Sequence, residues 1–413
     1  MPRRPLGFTF LVLMTAATGI AYGLRAVHAA DLPHATVDAS TAARLEALGY
    51  TEQVVDDPDP RRVGVTHRDP RAYPGINYHC TGQLVRFIDM DGKVVHEMPL
   101  DVSTGGDAGC LAKTYRPGLM AIVNSPLLSL SSVRKGGSRW MRDDGFHHDV
   151  AVDARGRIYA LSRHDAVLER HARQVPVWDQ SIVVLDGKGR TERRIDLLPL
   201  FGSLVPDARL DAIVEERAKR TPETQERYLR AVDVFHPNTI EIVAWPHDGA
   251  AGATAALLAL RDLDRIAVVD LERAKVLWDW GAGSLIGPHD PWLLGSGHVL
   301  VFDNGAQPLG PAGRTYSRVV EVDPGSGTIV WQYPETPSPQ FFSPTRGGAQ
   351  PLPNGNVLVT ESTKGHVFEV TREGTIVWDF WNPDFRSQDG ARRTIYRMRR
   401  LSMEEFEQLR ASR

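Results

Sequence analysis

Cysteine is almost missing from these 413 residues: Cys80 and Cys110 are the two present. No CxxC spacing is available to build a zinc centre, so no metal site is expected from them. In an oxidising compartment a pair of this kind reads as a disulfide closing a loop of about thirty residues. An excess of either charge is lacking too, since the net charge is -3. That excludes the basic footprint of a nucleic-acid partner. A phosphate-cradling GxxxxGK loop does not occur, which removes the commonest sign of a bound nucleotide. What is present is ordinary: 42% apolar and 24% charged residues, the balance of a chain with a core rather than a disordered one. At this length one large domain or two ordinary ones fit.

Charge is absent in one further place. After Pro2-Arg3-Arg4, the stretch from Leu6 to Leu24 (LGFTFLVLMTAATGIAYGL) carries none, and small residues follow at Val27 to Ala30. A short basic start, an apolar stretch and a small-residue exit describe an export signal over 1–30. Uncleaved, residues 6–24 are long enough to anchor the chain in a bilayer. Either outcome places the folded part outside the cytoplasm, in the periplasm or exported, with membrane contact only through that segment. The Arg3-Arg4 pair lacks the neighbours of a twin-arginine signal. Residues 31–72 read as a linker region containing DDPDPRR.

From residue 73 to 385 one phrase recurs: a Gly-containing turn, an apolar β-branched run, a polar turn, and a second run that often ends at Trp. Its closing halves are LVRFIDMDGKVVHEM from Leu84, SIVVLDGKGRTERRIDL from Ser181, RIAVVDLERAKVLWDW from Arg265, RVVEVDPGSGTIVWQY from Arg318 and HVFEVTREGTIVWDF from His366. Each joins two short strands through a polar turn, the pattern of a β-hairpin. Opening halves precede them as HHDVAVDARGRIYAL from His147, PHDPWLLGSGHVLVF from Pro288 and GGAQPLPNGNVLVTE from Gly347. Four strands per unit, repeated about every 45 to 70 residues, predict an all-β, six-bladed β-propeller. Five units are plain, and a sixth falls over about 110–135. A helical insertion interrupts the blades at about 203–232, and residues 386–413 read as a C-terminal helical tail.

In a propeller the loops entering each innermost strand surround the channel mouth. His148 lies eight residues before Gly156, and His289 eight before Gly297; an Asp follows each, at 149 and 290. The segment Asp233-Val234-Phe235-His236-Pro237-Asn238-Thr239 reaches the same part of its own blade. Three histidines delivered to one mouth point to chemistry, although any single one would read as a turn residue. Arg261 interrupts the apolar strand after His236, where an unpaired guanidinium is costly. It therefore faces an anion or polar cavity, or pairs with a neighbouring Asp.

These residues resemble the bacterial arylsulfate sulfotransferases: HHD, DxFHxN, a later strand Arg, PHD and the repeated GxIVW closings, over most of residues 75 to 383. The resemblance is to the compact branch of that family. It implies a PAPS-independent transfer of a sulfuryl group from a phenolic sulfate ester to a phenol, through a transiently sulfurylated histidine. On that resemblance His289 is the nucleophile, His236 the acid and base, and Arg261 with a protonated His148 the clamp on the sulfuryl oxygens. His147, Asn238 and Asp290 are its candidate substrate-binding residues. Implied partners are a phenolic sulfate donor and a phenol acceptor, with no cofactor or metal, and a homodimer is an open option. Departures from the family pattern are Pro288 for the usual Gln, Phe235 for the usual Trp, Pro237 after His236, and Asp262 where relatives often have His.

The chemistry also follows from the side chains. Imidazole is neutral and nucleophilic near pH 7. Charge-assisted donors suit an oxyanion. Two alternatives stay open: a non-catalytic binding propeller, and a metal hydrolase using His148, His236 and His289 as Zn²⁺ ligands. A quinone-dependent dehydrogenase, whose closing strands look similar, would need adjacent cysteines and a carboxylate cage for Ca²⁺.

Overall fold

Alternation between two buried faces explains the continuous apolar strands. In Ala253–Leu260, Leu257 and Ala259 pack toward one neighbouring sheet, while Leu258 and Leu260 pack toward the other. A strand sandwiched this way has no solvent face and reads as an unbroken apolar run. The computed structural model describes residues 59–81, 83–101, 110–218, 232–247, 253–306, 313–387 and 390–411. The expected export segment, most of the expected linker region and residues 219–231 of the expected insertion lie outside them.

Six sheets form the propeller, each a run of antiparallel strands, with the short strand Val232–Asp233 added in parallel to Arg173–Leu185 in one of them. Blade 2 runs outward from its inner strand as Cys110–Arg116, Leu119–Asn124, Leu127–Ser132 and Ser138–Asp143. Blade 3 runs Phe146–Val152, Ile158–Arg170, Arg173–Leu185 and Thr191–Asp196. The inner strands of blades 4 and 5 are Pro237–Trp245 and Pro288–Leu293, and that of blade 6 is Gly348–Pro351. Six apolar clusters fill the gaps, one between each pair of adjacent blades, including blades 6 and 1. The ring is therefore closed, which leaves little open sheet edge.

Closure uses both ends of the described chain. Gly64–Arg68 pairs with Ile376–Trp381 as a fifth, outermost strand of blade 6. Arg399–Leu401 pairs with Ile76–Cys80 and is the inner strand of blade 1. Residues 386–413 therefore differ from the expected helical tail: among the described residues there, only Met403–Arg410 (α3 of the molecule) is helical, behind a Ser402 capping box. The propeller likewise begins before residue 73, with the strand at Gly64. Cys80 and Cys110 are joined as a disulfide across blades 1 and 2, with 5.7 Å between their Cα atoms.

Turn chemistry fixes the hairpins. At Asp186-Gly187-Lys188-Gly189 the Asp186 carboxylate accepts from the amides of Lys188 and Arg190, both at 2.9 Å. Gly189 has φ +78° and sits against the Trp140 ring, so no side chain would fit there. Between blades 3 and 4 lie the short helix α1 (Leu198–Phe201) and α2 (Asp207–Ala218), in the place of the expected insertion. The second hairpin of blade 3 extends to Arg170 and Arg173, and Arg170 pairs with Asp207 at 3.0 Å.

Candidate active site

Three inner strands are distorted at their entrances. His148, His236 and Asp290 have φ of 57°, 47° and 57°, in the left-handed region that non-glycine residues rarely adopt. Strand pairing skips at the same places, between Ala160 and Ser162, Pro237 and Thr239, and His289 and Trp292. Bulges of this sort re-aim side chains, and strained backbone concentrates at functional sites. The skips also change which histidines correspond. In blade 5, His289 pairs with Phe302. In blade 3 the ladder jumps from Val150 to Phe146 over two partner residues. Equal distance from the turn glycine thus does not give His148 the ladder position of His289, because the bulge of blade 3 is one residue longer.

The rings gather nonetheless. His148 and His236 have centroids 4.4 Å apart, and His147 packs edge-on to His148 at 5.0 Å. Burial first, then the charges of His236, His147, Arg261 and His289, hold the His148 imidazole well below its ordinary range. His148 is thus neutral, against the protonated form expected for a clamp. Its Nδ1 lies 2.9 Å from the Tyr396 hydroxyl, whose own ionisation burial pushes up.

His289 is 3% exposed. Its Nδ1 lies 2.7 Å from Asn304 Oδ1 and 3.1 Å from the Gly287 carbonyl. The amide nitrogen of Asn304 donates to the carbonyls of Ser343 and Arg346 at 2.8 and 2.7 Å, so its oxygen must face the ring. Both neighbours of Nδ1 are acceptors. The proton therefore sits on Nδ1, and Nε2 carries the lone pair. Burial, then the charges of Arg397 and Arg261, push the ring down to about 3.

His236 is oriented by a carboxylate. Asp233 Oδ2 lies 2.8 Å from its Nδ1, and Oδ1 accepts from the His236 amide at 2.8 Å and from Gln180 Nε2 at 3.1 Å. Burial raises the Asp233 carboxyl, but His236, Arg261 and His147 outweigh it and hold it low. Gln180 Oε1 in turn faces His147 Nε2 at 2.6 Å.

Arg261 falls in the helical turn just after its strand, not within it. Its Nε donates to Asp262 Oδ1 at 2.6 Å, which meets the expectation of a neighbouring Asp. Arg209 of α2 holds the other oxygen of Asp262 at 2.5 Å. Burial raises the Asp262 carboxyl, and Arg261, Arg209 and His236 bring it down to about 2.

The residues expected to touch substrate have protein partners instead. Asn238 donates to the Pro288 carbonyl at 2.9 Å and accepts from Thr239 at 3.0 Å, with no exposed surface. Asp290 is fully buried and accepts from Arg399 at 2.7 Å and from the Ala349 amide at 2.9 Å. His147 is buried on Gln180. Sequence reasoning missed Asp233, Gln180, Asn304, Tyr396, Arg397 and Arg399. The run Tyr396-Arg397-Met398-Arg399-Arg400 was the available signal, since buried arginines in a strand demand partners.

Among the described residues, the cluster at this mouth compact enough for a cation is Asp233, His236 and Asp262, with one ligand atom of each within 4.8 Å of the others. It contains only one of the three histidines proposed as Zn²⁺ ligands, and arginines already neutralise Asp262.

A protein-family model described as Arylsulfotransferase (ASST) matches residues 122–383. No curated protein matches the chain. Among solved structures it is similar to a protein of unknown function from Bacteroides caccae, 14% identical over 80% of this chain and 99% of that one, with a TM-score of 0.44. It is also similar to a streptogramin B lyase, 12% identical over 85% of this chain and 97% of that one, with a TM-score of 0.43. A virginiamycin B lyase from Staphylococcus aureus is 11% identical over 79% of this chain and 89% of its own, with a TM-score of 0.41.

Proposed function

This chain belongs to the arylsulfotransferase family, and on that premise we propose that it carries a sulfuryl group from a phenolic sulfate ester to a phenol through a sulfohistidine at His289. The observation that carries the reading is the Asn304 lock, which puts the only proton of His289 on Nδ1 and the lone pair on Nε2. Such a ring is a nucleophile without prior deprotonation.

In the first step Nε2 of His289 forms a bond to sulfur as the S–O bond to the aryl group breaks. The bonding pair leaves on the phenolate oxygen, which takes a proton from His236. Asp233 accepts at Nδ1 and orients the ring for that transfer. In the second step an acceptor phenol gives its proton back to His236 and attacks the same sulfur. The S–N bond breaks and its pair returns to Nε2. Arg261 holds the sulfuryl oxygens, aimed by Asp262. His148 acts beside it as a neutral donor, a role that requires the tautomer with its hydrogen on Nε2 and Nδ1 accepting from the Tyr396 hydroxyl 2.9 Å away. No nucleotide enters either step.

The export segment and the Cys80–Cys110 disulfide support a location outside the cytoplasm, where such bonds persist. The test is incubation of purified protein with 4-nitrophenyl sulfate and phenol. Phenyl sulfate is the expected product, formed equally with a chelator present and lost in His289→Ala. Inorganic sulfate as the product, abolished by chelator, would instead favour a metal hydrolase; no turnover of any aryl sulfate would favour a binding propeller.

A further inference from the structure

Two of the three histidines at strained strand entrances, His148 and His289, are followed by an aspartate, and both aspartates point at one residue that comes from outside the family match. We propose that Arg397, supplied by the segment that closes the ring, is a positioning residue that sets the His148-Asp149 and His289-Asp290 pairs in a single geometry for sulfuryl transfer. The step it serves rests on the function proposed above; its contacts do not.

The side chain of Arg397 has no exposed surface. Its Nη1 lies 3.2 Å from Asp149 Oδ2 on blade 3 and 3.3 Å from Asp290 Oδ1 on blade 5. Nη2 donates to Thr239 Oγ1 on blade 4 at 3.2 Å, and Nε to the Gly347 carbonyl before blade 6 at 3.1 Å. One guanidinium from the entrance to blade 1 thus reaches four other blades. Gly348 makes room for this arrangement, because a side chain there would collide with the Asp290 carboxylate and press on Arg397 Nε. Thr239 extends the network by accepting from the Asp290 amide at 3.0 Å. Arg399 occupies the remaining face of Asp290, so Asp290 is held from two sides at the residue next to the nucleophile. Asp149 is pinned in the same way by the Val150 amide at 2.8 Å.

The planar fork matters. Three nitrogens donate in three directions, which a lysine ammonium on a flexible stem cannot reproduce. Position and charge then act together. The charged and titratable groups that act on the His289 ring are Arg397 from the closing segment, Arg261 from blade 4 and His148 from blade 3, while Asn304 and the Gly287 carbonyl contact it directly and Asp290 is its neighbour in the chain. Arg397 is the largest charge among those that keep the ring neutral, after burial itself.

The experiment compares the wild type with Arg397→Lys, Arg397→Gln and the charge-balanced pair Arg397→Gln with Asp149→Asn. Two readouts are taken: the burst of 4-nitrophenolate from 4-nitrophenyl sulfate, and the titration of labelled histidines by NMR. In folded variants the burst rate falls about 10- to 100-fold while KM changes less than about threefold, because orientation is lost rather than binding. In Arg397→Gln the His289 titration moves up by about one unit, while that of His366 in blade 6 stays in place. Arg397→Lys keeps the charge and loses the fork, so it lowers the burst without that shift, and it decides the matter if the Gln variants do not fold. A folded variant with a burst within about twofold of wild type overturns the proposal, as does an unmoved His289 titration in Arg397→Gln. If the wild type itself gives no burst, the sulfuryl-transfer reading has failed, and the titrations alone judge Arg397.

Discussion

Replacing Asp233 with Asn keeps the shape of the carboxylate and removes its charge, so it isolates what that charge does for His236. Three donors converge on Oδ1: the amides of His236 and Phe235 at 2.8 and 3.3 Å, and Gln180 Nε2 at 3.1 Å. An asparagine must turn its oxygen toward them, which points its NH₂ at His236 Nδ1. The ring then has to accept at Nδ1 and carry its hydrogen on Nε2, the wrong tautomer for taking a proton from the acceptor phenol. The imidazolium needed to protonate the leaving phenolate also loses its partner. A hydrogen bond to a charged group contributes about 1.5–3 kcal/mol, so transfer slows by about 10- to 150-fold. The loss depends on the leaving group. It is small for 4-nitrophenyl sulfate, whose phenolate departs without help, and full for phenyl sulfate, whose phenolate needs the proton. Stopped-flow and steady-state rates on both esters, with thermal melting as a check on folding, give the answer. Equal losses on the two esters in the first step, or a first-step loss under about threefold on phenyl sulfate, would refute the assignment of His236.

Two further outcomes are expected. Because His289 and His147 are pushed down to about 3, the unfolded chain binds protons that the folded chain does not once pH drops below the ordinary histidine value of 6.5. Stability then falls with pH between about 6.5 and 3, at up to about 1.4 kcal/mol per unit for each ring. Denaturant midpoints measured from pH 7 to 5 show a flatter decline in His289→Asn; an unchanged slope counts against a neutral, buried His289. Arg209→Ala frees Asp262, which aims Arg261, so kcat/KM for the sulfate ester falls about tenfold, the worth of one charge-assisted bond. Kinetics unaltered by that change would make α2 a bystander.

Much of this was legible in the sequence because the signals are local. Hairpins announce themselves through Asp-Gly turns and alternating strands, and five of the six blades do so within their own fifty or so residues. Blade 2 was faint: its inner hairpin turns at Tyr115-Arg116-Pro117-Gly118, without the usual Asp, and its outer strand Ser138–Asp143 carries no Trp at its end. Ring closure was invisible. Pairing Gly64–Arg68 with Ile376–Trp381, and Arg399–Leu401 with Ile76–Cys80, spans most of the chain and leaves no local trace. The tail was therefore read as helix, and Arg397, Arg399 and Tyr396 were missed with it. His148, His236 and His289 were legible through their common place before a strand. Their correspondence was not, because the bulge at Asp149 inserts a residue that no spacing rule counts. Asn304, the residue that sets the proton on His289, stood in plain view in FDNG but looked like turn chemistry.

The most direct measurement is to mix the protein with 4-nitrophenyl sulfate without acceptor, quench within the burst under alkaline conditions, and locate the label by peptide mass spectrometry. A single sulfuryl group on His289, discharged when phenol is added before the quench, is the predicted result. A label on His148 or His236, or steady turnover with no labelled histidine, would contradict the account.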